Sequence, residues 1–348
     1  MKTSSAILTI AGVFGVWAGA LAADPIEGLY NTGVDNASVV LFHGSRDTHY
    51  RLIDASPVVG QPFVFTSIAG FPVPPWLADS AVSAWIAPTS DGDANGPPGD
   101  YTYRLYVDLA GYDPGTVVLT GQWSTDNAGT DILVNGAGTG NPNTAQFVAW
   151  TSFTLSTVFS SGLNTVDFVL NNASTDINPT GVRVEISGTG DRVPPGAPAF
   201  VLTGPTDTSI REGGTVVFTV SAGGSYPISY AWAKNGTPIQ GATRAWLELA
   251  DVRQAASGTY SVTVSNPSGT ESASAVLTVT PTPVTVTRTP ALYVGGIVGR
   301  SYQVDVTEAL SNTPVWDVFA TVGPLTESPL VIPLDGTGTQ RFFRALEQ

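Results

Sequence analysis

The stretch SGTYSVTVSNPSG, residues 257–269, places Tyr260 two positions before Val262. On a strand, residues two apart share a face. A tyrosine at that spacing is the trace of a tyrosine corner, in which the ring packs inward and the hydroxyl reaches back to the backbone upstream. The residues before it extend the pattern. EGGTVVFTVSAGG (212–224) puts Val216, Phe218 and Val220 on one face, and YAWAKNG (230–236) supplies Trp232 twelve residues past Val220. WLELADV (246–252) then adds Leu247, Leu249 and Val252.

In this order, the B-strand core position, the core tryptophan, the E-strand leucines and the corner tyrosine resemble the immunoglobulin superfamily, intermediate-set type, over about 80 residues. Two departures accompany the resemblance. Val220 and Val262 occupy the places of the family's two cysteines, and Ala256 stands where an aspartate usually pairs with an arginine. A missing disulfide removes roughly 2–4 kcal/mol, while two buried valines contribute roughly 1.5–3 kcal/mol each. The expectation is a sandwich in which Trp232 packs on Val220 and Val262 instead of on a cystine.

The rest of the chain has a similar character. Of 348 residues, 42% are apolar and 12% charged, with 38 Gly and 26 Pro. That is too apolar for disorder and too rich in turn formers for a helical protein, so the fold class is all-β. Short alternating runs of Val, Thr, Tyr and Phe are separated by Gly, Asn, Asp and Pro. DRVPPGAPAF (191–200) and TPTPVTVTRTP (280–290) read as semi-rigid spacers, dividing modules at 24–192, 197–280 and 288–348.

In the first module Tyr101, Tyr103, Leu105, Val107 and Leu109 alternate with Thr102, Arg104, Tyr106 and Asp108, and Asn135-Gly136 is a two-residue hairpin signal. WSTDNAGTDILVNG (123–136), GLNTVDFVLNNA (162–173) and PTGVRVEI (179–186) together resemble the galactose-binding-like jelly rolls of secreted bacterial proteins. That resemblance implies a jelly-roll sandwich with carbohydrate as the ligand class. The last module carries Gly296, Gly299, Tyr302, Trp316 and RFFRA (341–345). It resembles the small β-rich module that ends many secreted bacterial multidomain proteins, to which no chemistry attaches.

The first residues, MKTSSAILTIAGVFGVWAGALAADP (1–25), combine one lysine, an apolar run and Ala20 and Ala22 in A-x-A positions. This reads as a secretory signal peptide over 1–22, too short for a stable membrane span. The expected product is secreted, extracellular or held at the cell surface, with no membrane span after cleavage. A net charge of −14 disfavours nucleic acid and anionic membranes as partners. The chain has no cysteine, which excludes disulfides and thiolate chemistry.

Candidates for chemistry are few. His43 and His49 are the only histidines, and Ser45, His43 and Asp47 lie too close in sequence for triad geometry. Their six-residue separation also lacks zinc-motif spacing. DGDANG (91–96) matches the first half of a calcium loop through Asp91, Asp93, Asn95 and Gly96, but Thr102 replaces the bidentate glutamate. Calcium there competes with an ordinary acidic turn.

A sugar needs an aromatic plane beside a few polar groups, and Trp76, Tyr106, Trp123, Asp126 and Asn127 qualify. Trp76 in its proline-rich loop and Tyr106 on the outer face of its strand are expected to be exposed, whereas Trp85 and Trp123 also suit the core. The function these readings point to is non-catalytic: adhesion or carbohydrate binding through the jelly roll, with the immunoglobulin-like domain as spacer. Polysaccharides, cell-surface glycans or other extracellular proteins are the partners. The alternative is a structural component of an envelope, matrix or filament.

Overall fold

The computed structural model describes residues 23–54, 60–66, 74–90, 94–281, 291–297, 299–307, 313–325, 330–333 and 341–348. The expected signal peptide and the carboxylates Asp91 and Asp93 lie outside the described residues. The fold is nearly all β, as the alternation requires.

The first module packs two antiparallel sheets face to face. One runs Thr151–Ser156, Val118–Asp126, Gly181–Gly190, Trp85–Ala87, Phe63–Phe65, with Asp24–Pro25 added alongside Gly181–Gly190. The other runs Tyr50–Asp54, Gly99–Asp108, Leu163–Asn172, Ala128–Val134, Ala137–Gly138. The period of two fixes which side chains meet between them. Tyr101, Tyr103, Leu105, Val107 and Leu109 are all buried, and they share one core with Trp123, Phe153, Phe168 and Val184. Asn135 and Gly136 have φ of 51° and 81°, the primed turn that joins Val134 to Ala137 with the twist of the flanking strands.

The second module is a smaller sandwich. Its main sheet runs Thr208–Arg211, Gly269–Thr280, Gly258–Asn266, Ser229–Lys234, Thr237–Pro238, and only the first pairing in it is parallel. Val216–Thr219 pairs with Trp246–Leu249 to cover it. Trp232 lies opposite Val262, is 1% exposed, and shares its core with Val220 and Phe218. Its indole N–H donates to the Arg244 carbonyl at 2.9 Å. The corner is present: the Tyr260 hydroxyl donates to the Ala256 carbonyl at 2.8 Å. Ala256, which has no carboxylate, serves through its backbone.

The third module has a sheet of Asp317–Val322, Tyr302–Thr307 and Phe342–Glu347. Its sequence signature has a packing origin. The Ile297 N–H donates to the Tyr302 hydroxyl at 2.7 Å, and a Cβ at Gly296 would come within 2.6 Å of the Tyr302 ring. Arg344 donates to Asp305 at 3.0 Å while lying 4.5 Å from the Trp316 ring centre.

The first proline-rich stretch differs from a free spacer. Val193 N–H donates to Gly111 O at 2.8 Å, the Ser225 hydroxyl donates to Pro194 O at 2.8 Å, and Ala197 N–H donates to the Ser225 hydroxyl at 2.7 Å. Proline sets the direction of this segment, and hydrogen bonds from both modules pin it. Most of the second stretch lies outside the described residues.

Replacing Trp232 with alanine should lower the stability of the second module by about 3–5 kcal/mol, the usual cost of emptying a buried aromatic site. Urea denaturation followed by circular dichroism checks this, and a loss below about 1 kcal/mol would show that the core is not centred on Trp232.

Candidate functional site

The sequence candidates separate into two places. Trp76, Asp126, Asn127 and Asn95 converge on one end of the first sandwich. Trp76 tilts against Trp85 at 4.4 Å and stacks on Phe147 at 6.0 Å, and it hydrogen-bonds to Asp126. Asn127 donates to the Asp126 carboxylate at 2.6 Å and its own side-chain oxygen accepts from Ala173 N–H at 2.8 Å. Thr180 ties this corner to the strand bearing Asn95, donating its hydroxyl to Asp126 O at 2.7 Å and its N–H to Ala94 O at 3.0 Å. Asn95 pairs across from Pro179.

Trp76 is only 8% exposed, contrary to the expectation of an exposed ring. A proline-rich loop fixes chain direction, not exposure, and here Trp85 and Phe147 supply an aromatic bed for the indole. Trp123 is fully buried in the sandwich core, so neither indole offers a bare face. Burial raises the Asp126 carboxyl to about 7, the hydrogen bond from Trp76 opposing the shift.

Tyr106 occupies the second place, and its expected exposure is also overturned. The strand face it shares with Arg104 and Asp108 is covered by the second module at Tyr106, which is buried, while Arg104 and Asp108 are half-buried. Tyr106 stacks on Trp246 with ring centres 5.0 Å apart. Arg51 meets Glu248 at 2.5 Å, a close charge contact without hydrogen-bond alignment. Arg244 donates to Asn36 at 2.7 Å and to Thr48 O at 3.2 Å, and Tyr226 donates to Glu27 at 2.8 Å. Leu163 N–H donates to the Ser221 hydroxyl at 3.1 Å. Two glycines permit the approach: a Cβ at Gly111 would come within 2.9 Å of Tyr226, and one at Gly162 within 2.1 Å of the Ser221 hydroxyl. Periodicity identifies an outer face but carries no signal that another module will cover it.

The histidine loop supports this contact. Asp47 accepts from the N–H groups of Gly33, His49 and Tyr50 at 2.7, 2.7 and 3.1 Å. Burial raises its carboxyl to about 6 and lowers the His49 imidazole to about 4. His49 stacks on Tyr30 at 3.7 Å and lies 3.0 Å from the same Asn36 oxygen that receives Arg244. His43 accepts from Thr66 N–H at 3.3 Å. These contacts give the loop a scaffolding role. Among the described residues, no three His, Cys, Asp or Glu side chains are grouped to hold a metal.

Beside the Tyr106–Trp246 stack the two modules enclose a cleft of about 230 Å³. Tyr30, Tyr106, Tyr112 and Asp108 line it from the first module, and Tyr226, Tyr230 and Trp246 from the second.

The family model for the immunoglobulin I-set domain matches residues 199–279. This segment is an I-set domain. The solved titin domain M7 is 29% identical, with the match covering 25% of this chain and 99% of that one at a TM-score of 0.24. A chimeric titin Z1Z2 is 25% identical over 24% of this chain and 96% of that one, at 0.23. With TM-scores this low, the assignment rests on the family model. The chain is also similar to the decoration protein of Escherichia phage T5, 35% identical over 100 residues, covering 27% of this chain. It spans 61% of that relative's length.

Two outcomes follow from the site geometry. Because the raised Asp126 pKa favours the protonated folded form, its contribution to stability is complete below about pH 4 and lost as pH climbs towards 7. Asp126→Asn should therefore melt higher than the parent at pH 8, with the gain vanishing near pH 4, and a pH-independent difference would contradict the assignment. Glu248→Ala strands a guanidinium that is only 10% exposed. It should cost about 1–3 kcal/mol and split the calorimetric unfolding of the two modules, whereas a single unshifted transition would count against the contact.

Proposed function

We propose that this chain is a non-catalytic structural protein that decorates the outside of a larger protein assembly, in an extracellular or virion-type setting. The docked interface carries the reading. The I-set domain is held against the first sandwich by a ring stack, an ion pair and hydrogen bonds from several elements, so the two present one stiff surface instead of a ligand-seeking head on a flexible stalk. Similarity to a phage decoration protein supports the same direction. The hydrogen-bonded histidine loop adds a third support, because its polar groups are occupied in holding the chain together.

A second reading, adhesion through carbohydrate, has its own observation. Asp126, Asn127 and Asn95 gather at one end of the first sandwich, and calcium held by the expected loop of Asp91, Asp93 and Asn95 would add a ligand for sugar hydroxyls. The buried indoles of Trp76 and Trp123 weigh against it, since a pyranose needs an open aromatic face.

Ultracentrifugal fractionation of the native source with immunodetection separates these readings. Decoration expects the intact chain in the particle pellet, released only by denaturant. Recovery solely as free monomer would overturn it, and retention on a polysaccharide that is lost with a chelator or with Asn127→Ala would establish the second reading instead.

A further inference from the structure

The interdomain cleft has a charge imbalance that the docking does not resolve. Of its acidic groups, Glu27 at the rim is neutralised by Arg192 at 3.1 Å and receives the Tyr226 hydroxyl. Arg192 itself is spent on that carboxylate and on the faces of Tyr112 and Tyr226, at 4.5 and 3.3 Å from their centres. Arg244 lines the cleft too, but its guanidinium is engaged, donating to Asn36 and Thr48 O and lying 5.3 Å from the centre of the Trp246 ring. Asp108 is left without a cationic partner among the described residues. Its carboxylate accepts from Ala110 N–H at 3.0 Å, and the Tyr230 hydroxyl lies against it without an aligned hydrogen bond. Tyr230 is 6% exposed and lines the cleft, so a buried polar group faces the space with its bonding unfulfilled.

Buried carboxylates are ordinarily paired. Aromatic rings attract a cation through the negative face of the π-system, most strongly where water is excluded. The walls here are Tyr30, Tyr106, Tyr112, Tyr226, Tyr230 and Trp246, with a carboxylate among them. A chain of net charge −14 also draws small cations from solution. A neutral sugar would satisfy the hydroxyl and leave the charge unmet; an anion would be repelled.

We propose that this cleft binds the ammonium group of a small organic cation, with Asp108 as its counter-ion and the tyrosine and tryptophan rings as its walls. The site exists only when the two modules are docked, because each supplies half of the lining. The inference is independent of the decoration reading: it concerns a small ligand, and either could fail alone.

Isothermal titration of the full chain with choline, with n-butylammonium and with 3,3-dimethylbutan-1-ol, the uncharged isostere of choline, tests it directly. At least one ammonium should bind at least about tenfold tighter than the alcohol. Asp108→Asn should abolish that preference. Thr243→Trp, which fills the exposed rim and leaves the carboxylate in place, should block binding while the calorimetric unfolding stays that of the parent. Binding of neither ammonium, equal binding of the alcohol, or undiminished binding by a folded Asp108→Asn variant would each overturn the proposal.

Discussion

The covered outer face of the strand Gly99–Asp108 governs how this molecule is put together. On its inner side the strand builds the core of the first sandwich. On its outer side Tyr106 stacks on Trp246, and Arg51 on the neighbouring strand meets Glu248. A ring stack of this kind adds about 0.5–1.5 kcal/mol beyond area burial. The ion pair works differently: two partly desolvated charges gain little net energy together, but either one alone is costly. That asymmetry makes the contact selective for one docking geometry. The pinned segment after Arg192 then follows as its consequence, because the chain has only a short path between two surfaces already in contact.

The I-set domain reaches its fold without a disulfide, since the chain has no cysteine. Trp232 is centred on valines, and the Tyr260 hydroxyl closes the corner onto a backbone carbonyl, so the usual flanking aspartate is unnecessary for that bond. Packing of apolar side chains substitutes for a crosslink, at the cost of a core that must be filled well. The small C-terminal module follows a related logic, Gly296 accommodating the Tyr302 ring and Arg344 spanning Asp305 and Trp316.

The strands, the corner tyrosine, the Asn135-Gly136 turn and the all-β class were legible because each is a local pattern of side-chain period or backbone conformation. The site was legible only in part. Asp126, Asn127 and Asn95 were named and do come together, but Trp76 and Tyr106 were assigned to solvent and are buried. Their covers, Phe147 for the one and Trp246 for the other, are distant in sequence and leave no periodic trace. The same holds for Asp108, an ordinary outer-face residue by alternation whose setting is decided by Tyr230 from another module.

Rigid docking of the I-set domain organises the molecule, and the absence of native cysteine makes it accessible to site-directed spin labelling. Cysteines introduced at Thr154 on the first sandwich and Thr278 on the I-set domain, both exposed, would carry the labels. Pulsed electron paramagnetic resonance should give one narrow distance distribution, which broadens when Glu248 is replaced by alanine. A broad distribution in the parent protein would mean that the modules move independently and that the docked interface does not hold them.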